Sequence, residues 1–126
     1  MNFPENLQYT KEHEWLRKDG ANGVVGITDY AQGELGDVVY VDLPAVGRIV
    51  KQGESCGTIE AVKAVSDIFS PISGEILELN AALADKSELV NSDPYGAGWM
   101  FTIKPTNPAE LSGLLDAAAY KALVGK

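Results

Sequence analysis

The chain of 126 residues has one cysteine and one histidine, and each scarcity excludes a kind of chemistry. With Cys56 alone, no disulfide can form within the chain, which fits a reducing compartment. With His13 alone, the histidine clusters that build zinc sites are absent, and Cys56 acting as a nucleophile would have only this histidine as its base. We therefore expect no metal centre and no independent catalytic site.

Basic residues and long apolar runs are also scarce. Ten Lys and Arg residues stand against eighteen Asp and Glu residues, for a formal net charge of −8. The sequence has no basic cluster that would bind phosphates, so nucleic acid is not an expected partner, and an acidic surface favours partners with basic docking sites. No apolar run approaches the ~20 residues that span a bilayer, and residues 1–15 lack the features of a signal or transit peptide. We expect a soluble, cytoplasmic protein that does not enter a membrane.

The remaining sequence indicates one domain over residues 1–126, rich in short strands. Strands are predicted at residues 24–27, 36–43 and 74–79, with a helical turn at residues 28–35 that Thr28 or Asp29 would cap. After Asn107, the residues Pro108 and Glu110 predict the start of a C-terminal helix over about residues 108–124. The apolar positions of this helix would lie against the sheet: Leu111, Leu114, Leu115, Ala118 and Leu123.

The segment IEAVKAVSDIFSP, residues 59–71, allows two interpretations. Its apolar residues also have helical spacing, which would make Lys63 an ordinary solvated lysine on a helix ended by Pro71. The β-branched Val62 and Val65 favour instead a hairpin with Lys63 at its tip. A lysine at such a tip, between small residues, is accessible to a modifying enzyme, and acylation would make its side chain a tether for a prosthetic group. An unmodified surface lysine is the simpler alternative.

An internal repeat supports the hairpin. Residues 27–42 (ITDYAQGELGDVVYVD) align without a gap on residues 65–80 (VSDIFSPISGEILELN), with Asp29 on Asp67 and Gly36 on Gly74. Two half-sheets of this length cannot each bury a face alone, but they can when packed together. The repeat therefore predicts two packed sheets related by a pseudo-twofold axis.

Four sequence blocks resemble the hallmark blocks of the glycine cleavage system H proteins, in the same order and spacing. They are YTKEHEWL (9–16), VGITDYAQGELGDVVYVDLPAVG (25–47), IEAVKAVSDIFSPISGEILELN (59–80) and NSDPYGAGWM (91–100). The resemblance implies a mainly β fold, the barrel-sandwich hybrid of two antiparallel sheets with pseudo-twofold symmetry, short helices, an N-terminal strand extension and a C-terminal helix. It also implies that Lys63, at a hairpin tip, carries lipoate in amide linkage.

The resemblance further implies a carrier subunit rather than an enzyme. In this family the lipoyl group takes the aminomethyl group of glycine from the pyridoxal-phosphate glycine decarboxylase (P protein) to the tetrahydrofolate-dependent aminomethyltransferase (T protein). Dihydrolipoyl dehydrogenase (L protein) then reoxidises it, and a lipoate ligase or lipoyltransferase attaches the lipoate. By resemblance, Glu14 and Asp67, with His13 nearby, are expected to hold the cationic amine of the loaded arm in a cavity through charge-assisted hydrogen bonds.

Some alternatives and one departure from the family pattern stay open at this stage. Biotin carriers usually flank their lysine with methionines, whereas the methionines here are Met1 and Met100, and lipoyl domains of 2-oxoacid dehydrogenases usually show DKA rather than VKA. A lipoyl reservoir or relay protein would need the same presented Lys63. Ala61 stands where the family commonly has serine, and we expect lipoylation to persist, with ligase recognition open. A monomer is expected, since a swinging arm gains nothing from a self-interface.

Overall fold

A computed structural model describes residues 1–125, in which nine strands form two antiparallel sheets. The larger sheet has the order β1-β2-β3-β9-β8-β5 and the smaller one β4-β6-β7. The strands are β1 (Gln8–Tyr9), β2 (Glu14–Asp19), β3 (Asn22–Ile27), β4 (Val38–Asp42), β5 (Ile49–Val50), β6 (Ser55–Ala61), β7 (Val65–Phe69), β8 (Gly74–Leu79) and β9 (Phe101–Pro105). The predicted fold class, mainly β with two antiparallel sheets, is confirmed; the sheets form a sandwich and not a closed barrel.

Short helices lie between the strands and after the last strand. They are α1 (Asp29–Leu35), α2 (Ala82–Asp85), α3 (Leu89–Ser92) and α4 (Ala117–Val124), with a 3₁₀ helix at Pro108–Gly113. The predicted cap of α1 is confirmed, because the Thr28 hydroxyl accepts the Ala31 N–H at 3.1 Å. None of the helices in the described part of the chain is long and apolar enough to cross a membrane.

Two apolar cores lie on opposite faces of the larger sheet. Successive side chains of a strand alternate between faces, so Leu16 points between the sheets while its neighbour Trp15 points outward. The inner core joins both sheets through residues such as Val25, Ile59 and Ile68. The outer core is covered by the N-terminal segment and by α4, and its buried members are Phe3, Leu7, Tyr9, Trp15, Val24, Ala117 and Tyr120.

The segment around Lys63 is a β-hairpin. Strands β6 and β7 pair with Ile59 opposite Ser66 and Glu60 opposite Val65, and the Ala61 N–H donates to the Ala64 carbonyl at 2.7 Å. Lys63 lies exposed at the tip, residues 62–64. The helical interpretation of residues 59–71 is therefore wrong, because cross-strand pairing satisfies this backbone.

Of the two repeat units, residues 27–42 and 65–80, the structure is equivalent in the second part of each and differs in the first. Strands β4 and β8 occupy equivalent positions of the repeat and lie in different sheets, as a pseudo-twofold relation requires. The residues before them differ, since Asp29–Leu35 forms α1 whereas the matching segment holds β7 and a loop. The capping hydroxyl of Thr28 begins the helix in one half, and Pro71, which lacks an N–H, disfavours one in the other.

The C-terminal helix predicted over residues 108–124 is divided in two. Between the 3₁₀ helix and α4, Leu114 is extended, and Leu115 exchanges two backbone hydrogen bonds of 2.8 Å with Tyr9 of β1. Glu110 does not cap the helix, because its carboxylate accepts the Ser73 N–H at 2.7 Å and the Ser73 hydroxyl at 2.9 Å. Asp116 starts α4 by accepting the Ala119 N–H.

Because the helix is divided, the C-terminal residues that face the core differ from those predicted. Ala118 and Leu123, expected against the sheet, are exposed, whereas Ala117 and Tyr120 are buried in the outer core. The predicted face is wrong because the helical spacing of the sequence continues across Leu115, whereas the Leu115 backbone pairs with a strand.

Substitution of Gly74 tests the packing between β8 and β9, with Gly33 as a control. A Cβ at Gly74 would collide with the Lys104 carbonyl oxygen on β9, so Gly74→Ala is expected to lower the free energy of unfolding by about 3 kcal/mol. The control is Gly33→Ala in α1, where a Cβ meets no atom within 4 Å and is expected to stabilise by roughly 0.5–1 kcal/mol. Urea denaturation compares the two; equal effects would contradict the packing described.

Candidate functional site

A cavity of about 220 Å³ opens where β2, α1 and the β6–β7 hairpin meet. Its apolar wall includes Ile27, Leu35 and Ile59, from the two sheets and α1. The polar residues around it are Glu12, His13, Glu14, Glu34, Ser66 and Asp67. The fold thus brings together the three residues predicted to share a cavity, His13, Glu14 and Asp67, although Asp67 is far from the other two in sequence.

Glu14 is a buried carboxyl between the sheets, with 1% of its surface exposed. It accepts the Thr10 hydroxyl at 2.7 Å and, at 3.4 Å, the Phe69 N–H from the other sheet. Burial raises the pKa of Glu14 to about 8, and these hydrogen bonds act in the opposite direction. This pKa favours the protonated form of Glu14 near neutral pH, and a nearby positive charge would favour the ionised form.

His13 sits in a tight turn just before β2. Its φ of 74° is the only positive value of a non-glycine residue within residues 1–125, and its carbonyl accepts the Thr28 N–H at 3.0 Å. Its Nδ1 lies 2.8 Å from the Tyr120 hydroxyl. Burial lowers the pKa of His13, while the negative charges of Glu12 and Glu34 oppose that change.

Asp67 reaches the cavity from the exposed face of β7, opposite Thr58 of β6. Its carboxylate accepts no hydrogen bond from any residue in the described chain, so it is available to a ligand. Asp67 and Glu14 therefore face one cavity in different settings, one exposed and one buried.

Lys63 and the cavity meet at α1. This helix lines the cavity and is followed by its C-cap residue Gly36, whose φ is 80°. A Cβ on Gly36 would lie 3.1 Å from Cε of Lys63, so the missing side chain leaves room for the lysine stem. Ala61, the departure from the family pattern, is 5% exposed and packs beneath the tip, so an enzyme approaching Lys63 meets the exposed Val62 rather than Ala61.

Sequence reasoning missed Glu12, Glu34, Tyr30 and Tyr120. Glu12 directly precedes His13 and Glu14, and that adjacency could have indicated it. Glu34 and Tyr30 follow from placing α1 over the cavity. Tyr120 carries no local sequence signal, because only the packing of α4 brings it to His13.

Comparisons with known proteins match nearly the whole length of the chain. The family model described as glycine cleavage H-protein matches residues 7–126. The glycine cleavage system H proteins of Anaeromyxobacter sp. (strain K) and Bacteroides thetaiotaomicron are 59% and 58% identical to this chain; each alignment covers 98% of this chain, and 97% and 98% of the relatives. A crystal structure of a glycine cleavage system H protein from Mycobacterium marinum superposes with a TM-score of 0.89 at 42% identity, covering 98% of this chain and 99% of that one.

The family has a defined place in metabolism. An H protein is the lipoate-bearing, non-catalytic carrier subunit of the glycine cleavage system. The match of fold, of sequence and of nearly the full length leads to one conclusion: this chain belongs to the glycine cleavage H-protein family.

Proposed function

We propose that this chain carries the aminomethyl group of glycine from the glycine decarboxylase to the aminomethyltransferase, on lipoate amide-linked to Lys63. The observation that supports this best is the position of Lys63, exposed at a hairpin tip and against the end of the helix that lines the acidic cavity. Lipoate, when bound, supplies a disulfide that accepts the aminomethyl group and a dithiol that dihydrolipoyl dehydrogenase reoxidises.

The residues present fit such a group. The gap above Gly36 accommodates the Lys63 stem, and Val62 and Ala64 leave the Nζ atom accessible. A tether at this position keeps its free end near the domain, so each encounter with a partner depends on effective concentration and docking. The chain itself then needs no catalytic group.

The cavity fits a cationic amine. Asp67 offers a free carboxylate at its mouth, and Glu14 offers a buried carboxyl that ionises when a positive charge approaches. The apolar wall formed by Ile27, Leu35 and Ile59 restricts water on the inner side. We propose that these groups hold the loaded arm and slow the loss of its cargo to water.

The experiment for this function is glycine–bicarbonate exchange. The lipoylated protein is mixed with the glycine decarboxylase, and incorporation of labelled bicarbonate into glycine is followed. Exchange that depends on the lipoylated chain supports the carrier role. A lipoylated chain that passes lipoate to other complexes but supports no exchange would establish the reservoir or relay alternative instead.

Asp67→Asn tests whether the charge of Asp67 helps to hold the cationic amine in the cavity. The asparagine keeps the size of the side chain but loses its charge, and loss of cargo from the loaded arm should accelerate on the order of fivefold, which corresponds to ~1 kcal/mol for a partly exposed ion pair. The matched control is Asp42→Asn, an exposed carboxylate that pairs with the same Thr58 from β4 but does not line the cavity. Release of ammonia over time is the readout, and equal rates in both variants would refute a role for Asp67.

The assembly and location are part of the same proposal. We propose that residues 1–126 act as one monomeric carrier domain in the cytoplasm, which docks in turn with the decarboxylase, the aminomethyltransferase and dihydrolipoyl dehydrogenase, and is modified by a lipoate ligase or lipoyltransferase. The packing of the N-terminal segment and α4 on the same outer core supports a single unit. The net charge of −8 favours basic docking sites on the partners.

A further inference from the structure

Tyr120 connects the C-terminal helix to two walls of the cavity. Its hydroxyl lies 2.8 Å from Nδ1 of His13 and 2.8 Å from the hydroxyl of Thr28, which caps α1. The ring is fully buried and stacks on Tyr9, with 4.8 Å between centroids. Because the ring is fixed by packing, the position of its hydroxyl is fixed as well.

The partners determine the direction of these hydrogen bonds. The Thr28 oxygen already accepts the Ala31 N–H at 3.1 Å, and over the described chain the Tyr120 oxygen is the remaining hydrogen-bond partner of its hydroxyl. Since Thr28 is 0% exposed and a buried hydroxyl proton needs an acceptor, Thr28 donates to Tyr120. The Tyr120 proton is then directed to His13, and burial raises the pKa of Tyr120 to about 12, so that proton stays in place.

We propose that Tyr120 is a positioning residue that holds His13 in the Nε2–H tautomer, so that the cavity receives a hydrogen-bond donor from His13 and no base. An imidazole whose Nδ1 accepts a hydrogen bond carries its own proton on Nε2. Within residues 1–125, Nε2 of His13 has no hydrogen-bond partner, and His13 lines the cavity. This inference rests on the proposed function, in which the cavity holds a cationic amine.

The consequence concerns the proton of the cargo. A basic nitrogen facing the cavity could remove a proton from the amine, and a neutral amine is no longer held by the carboxylates. With its basic nitrogen directed at Tyr120, His13 cannot do this, and its Nε2–H is left without a protein partner, so it can donate to a ligand in the cavity. The titratable and charged groups around His13 come from β2 and its preceding turn, α1, β7 and α4: Glu12, Glu14, Tyr30, Glu34, Asp67 and Tyr120.

The tautomer can be measured directly on the unmodified protein. His13 is the only histidine, so ¹⁵N-detected spectra of the imidazole contain one pair of ring nitrogens and need no further assignment. At neutral pH we expect Nδ1 to show the shift of an unprotonated, hydrogen-bonded nitrogen and Nε2 that of an N–H. A proton on Nδ1, or rapid averaging of both tautomers, would overturn the proposal, and this readout stands even if no variant folds.

Tyr120→Phe removes only the hydroxyl and is compared with Tyr9→Phe. Tyr9 is buried in the same core, and its hydroxyl donates to the Pro4 carbonyl instead of to His13. In Y120F the ratio of the two tautomers should change about fivefold, as expected for ~1 kcal/mol from one net hydrogen bond, whereas Y9F should match the wild type. Identical tautomer ratios in Y120F and Y9F would overturn the proposal.

The same two variants separate this inference from the proposed function. In loaded protein, Y120F should lose its cargo faster than Y9F, since a larger share of His13 then carries its proton on Nδ1 and presents an unprotonated Nε2 to the cavity. If the lipoylated wild type supports no glycine–bicarbonate exchange, the proposed function fails while the tautomer result is unaffected. If exchange is normal and the wild-type tautomer is Nδ1–H, only the inference about Tyr120 fails.

Discussion

Lys63→Arg is expected to abolish glycine–bicarbonate exchange while leaving the fold unchanged. Arginine keeps the positive charge and the length of the side chain, but its guanidinium cannot serve as the amine that a lipoate ligase or lipoyltransferase acylates. Because Lys63 is exposed at the hairpin tip, the free energy of unfolding should change by no more than about 0.5 kcal/mol. Exchange should fall to the level seen with no carrier present.

The matched control is Lys51→Arg. Lys51 is also exposed on a turn, but on the turn between β5 and β6 rather than at the hairpin tip. K51R should be lipoylated and should support exchange at the wild-type rate. Retained exchange in K63R, with a lipoyl group found on another lysine, would contradict the assignment of Lys63.

The pH dependence of stability should depend strongly on Glu14. Its pKa is about 8 in the folded protein against an ordinary value of 4.5, so across that range the folded state keeps a proton that the unfolded state has lost. The free energy of unfolding therefore falls as pH rises through this window, and from about pH 5 to about pH 8 the loss is on the order of 2–4 kcal/mol. Above the folded-state pKa the contribution becomes constant.

Glu14→Gln removes this titration. The neutral amide resembles the protonated carboxyl, so the variant should match the wild type near pH 5 and exceed it in stability near pH 8. The control is Glu88→Gln, an exposed residue that does not line the cavity, which should keep the wild-type slope. Denaturant titrations from about pH 5 to about pH 8 give the free energy of unfolding of each protein. The same pH dependence in E14Q and the wild type would contradict a raised pKa of Glu14 in the folded state.

The burial of Glu14 lowers the stability of the fold near neutral pH, in the same setting that would serve the proposed function. A buried carboxyl without a strong positive partner costs stability near neutral pH, and Thr10 is its only close side-chain donor in the described chain. Under the proposed function, the same setting would make Glu14 responsive to the amine of the loaded arm, because a nearby positive charge favours the ionised carboxylate. Such a residue suits a site that must hold a cargo for a time and then release it.

Local sequence patterns predicted most of the fold correctly where local and tertiary preferences agree. The β-branched residues beside Lys63 and the Thr28 cap each describe an interaction that forms within a few residues, and both are confirmed. The C-terminal segment shows the opposite case, since helical spacing continues across Leu115 while its backbone pairs with Tyr9. A pairing partner more than a hundred residues away leaves no trace in the local pattern.

The cavity was predicted in part for the same reason. Family resemblance supplied Glu14 and Asp67, with His13 next to Glu14 in the chain, so these three could be named from the sequence. Tyr120 could not, because its hydrogen bond with His13 depends on the way α4 packs on the outer core. The raised pKa of Glu14 is likewise a property of burial, which composition does not reveal.

The most direct test of the carrier role is the mass of the protein isolated from its own cells, followed by fragmentation of the peptide that contains residues 59–71. The expected result is one added lipoyl group, located on Lys63 and on no other lysine. An unmodified mass, or a lipoyl group on a different lysine, would contradict the assignment of Lys63 as the anchor of the arm.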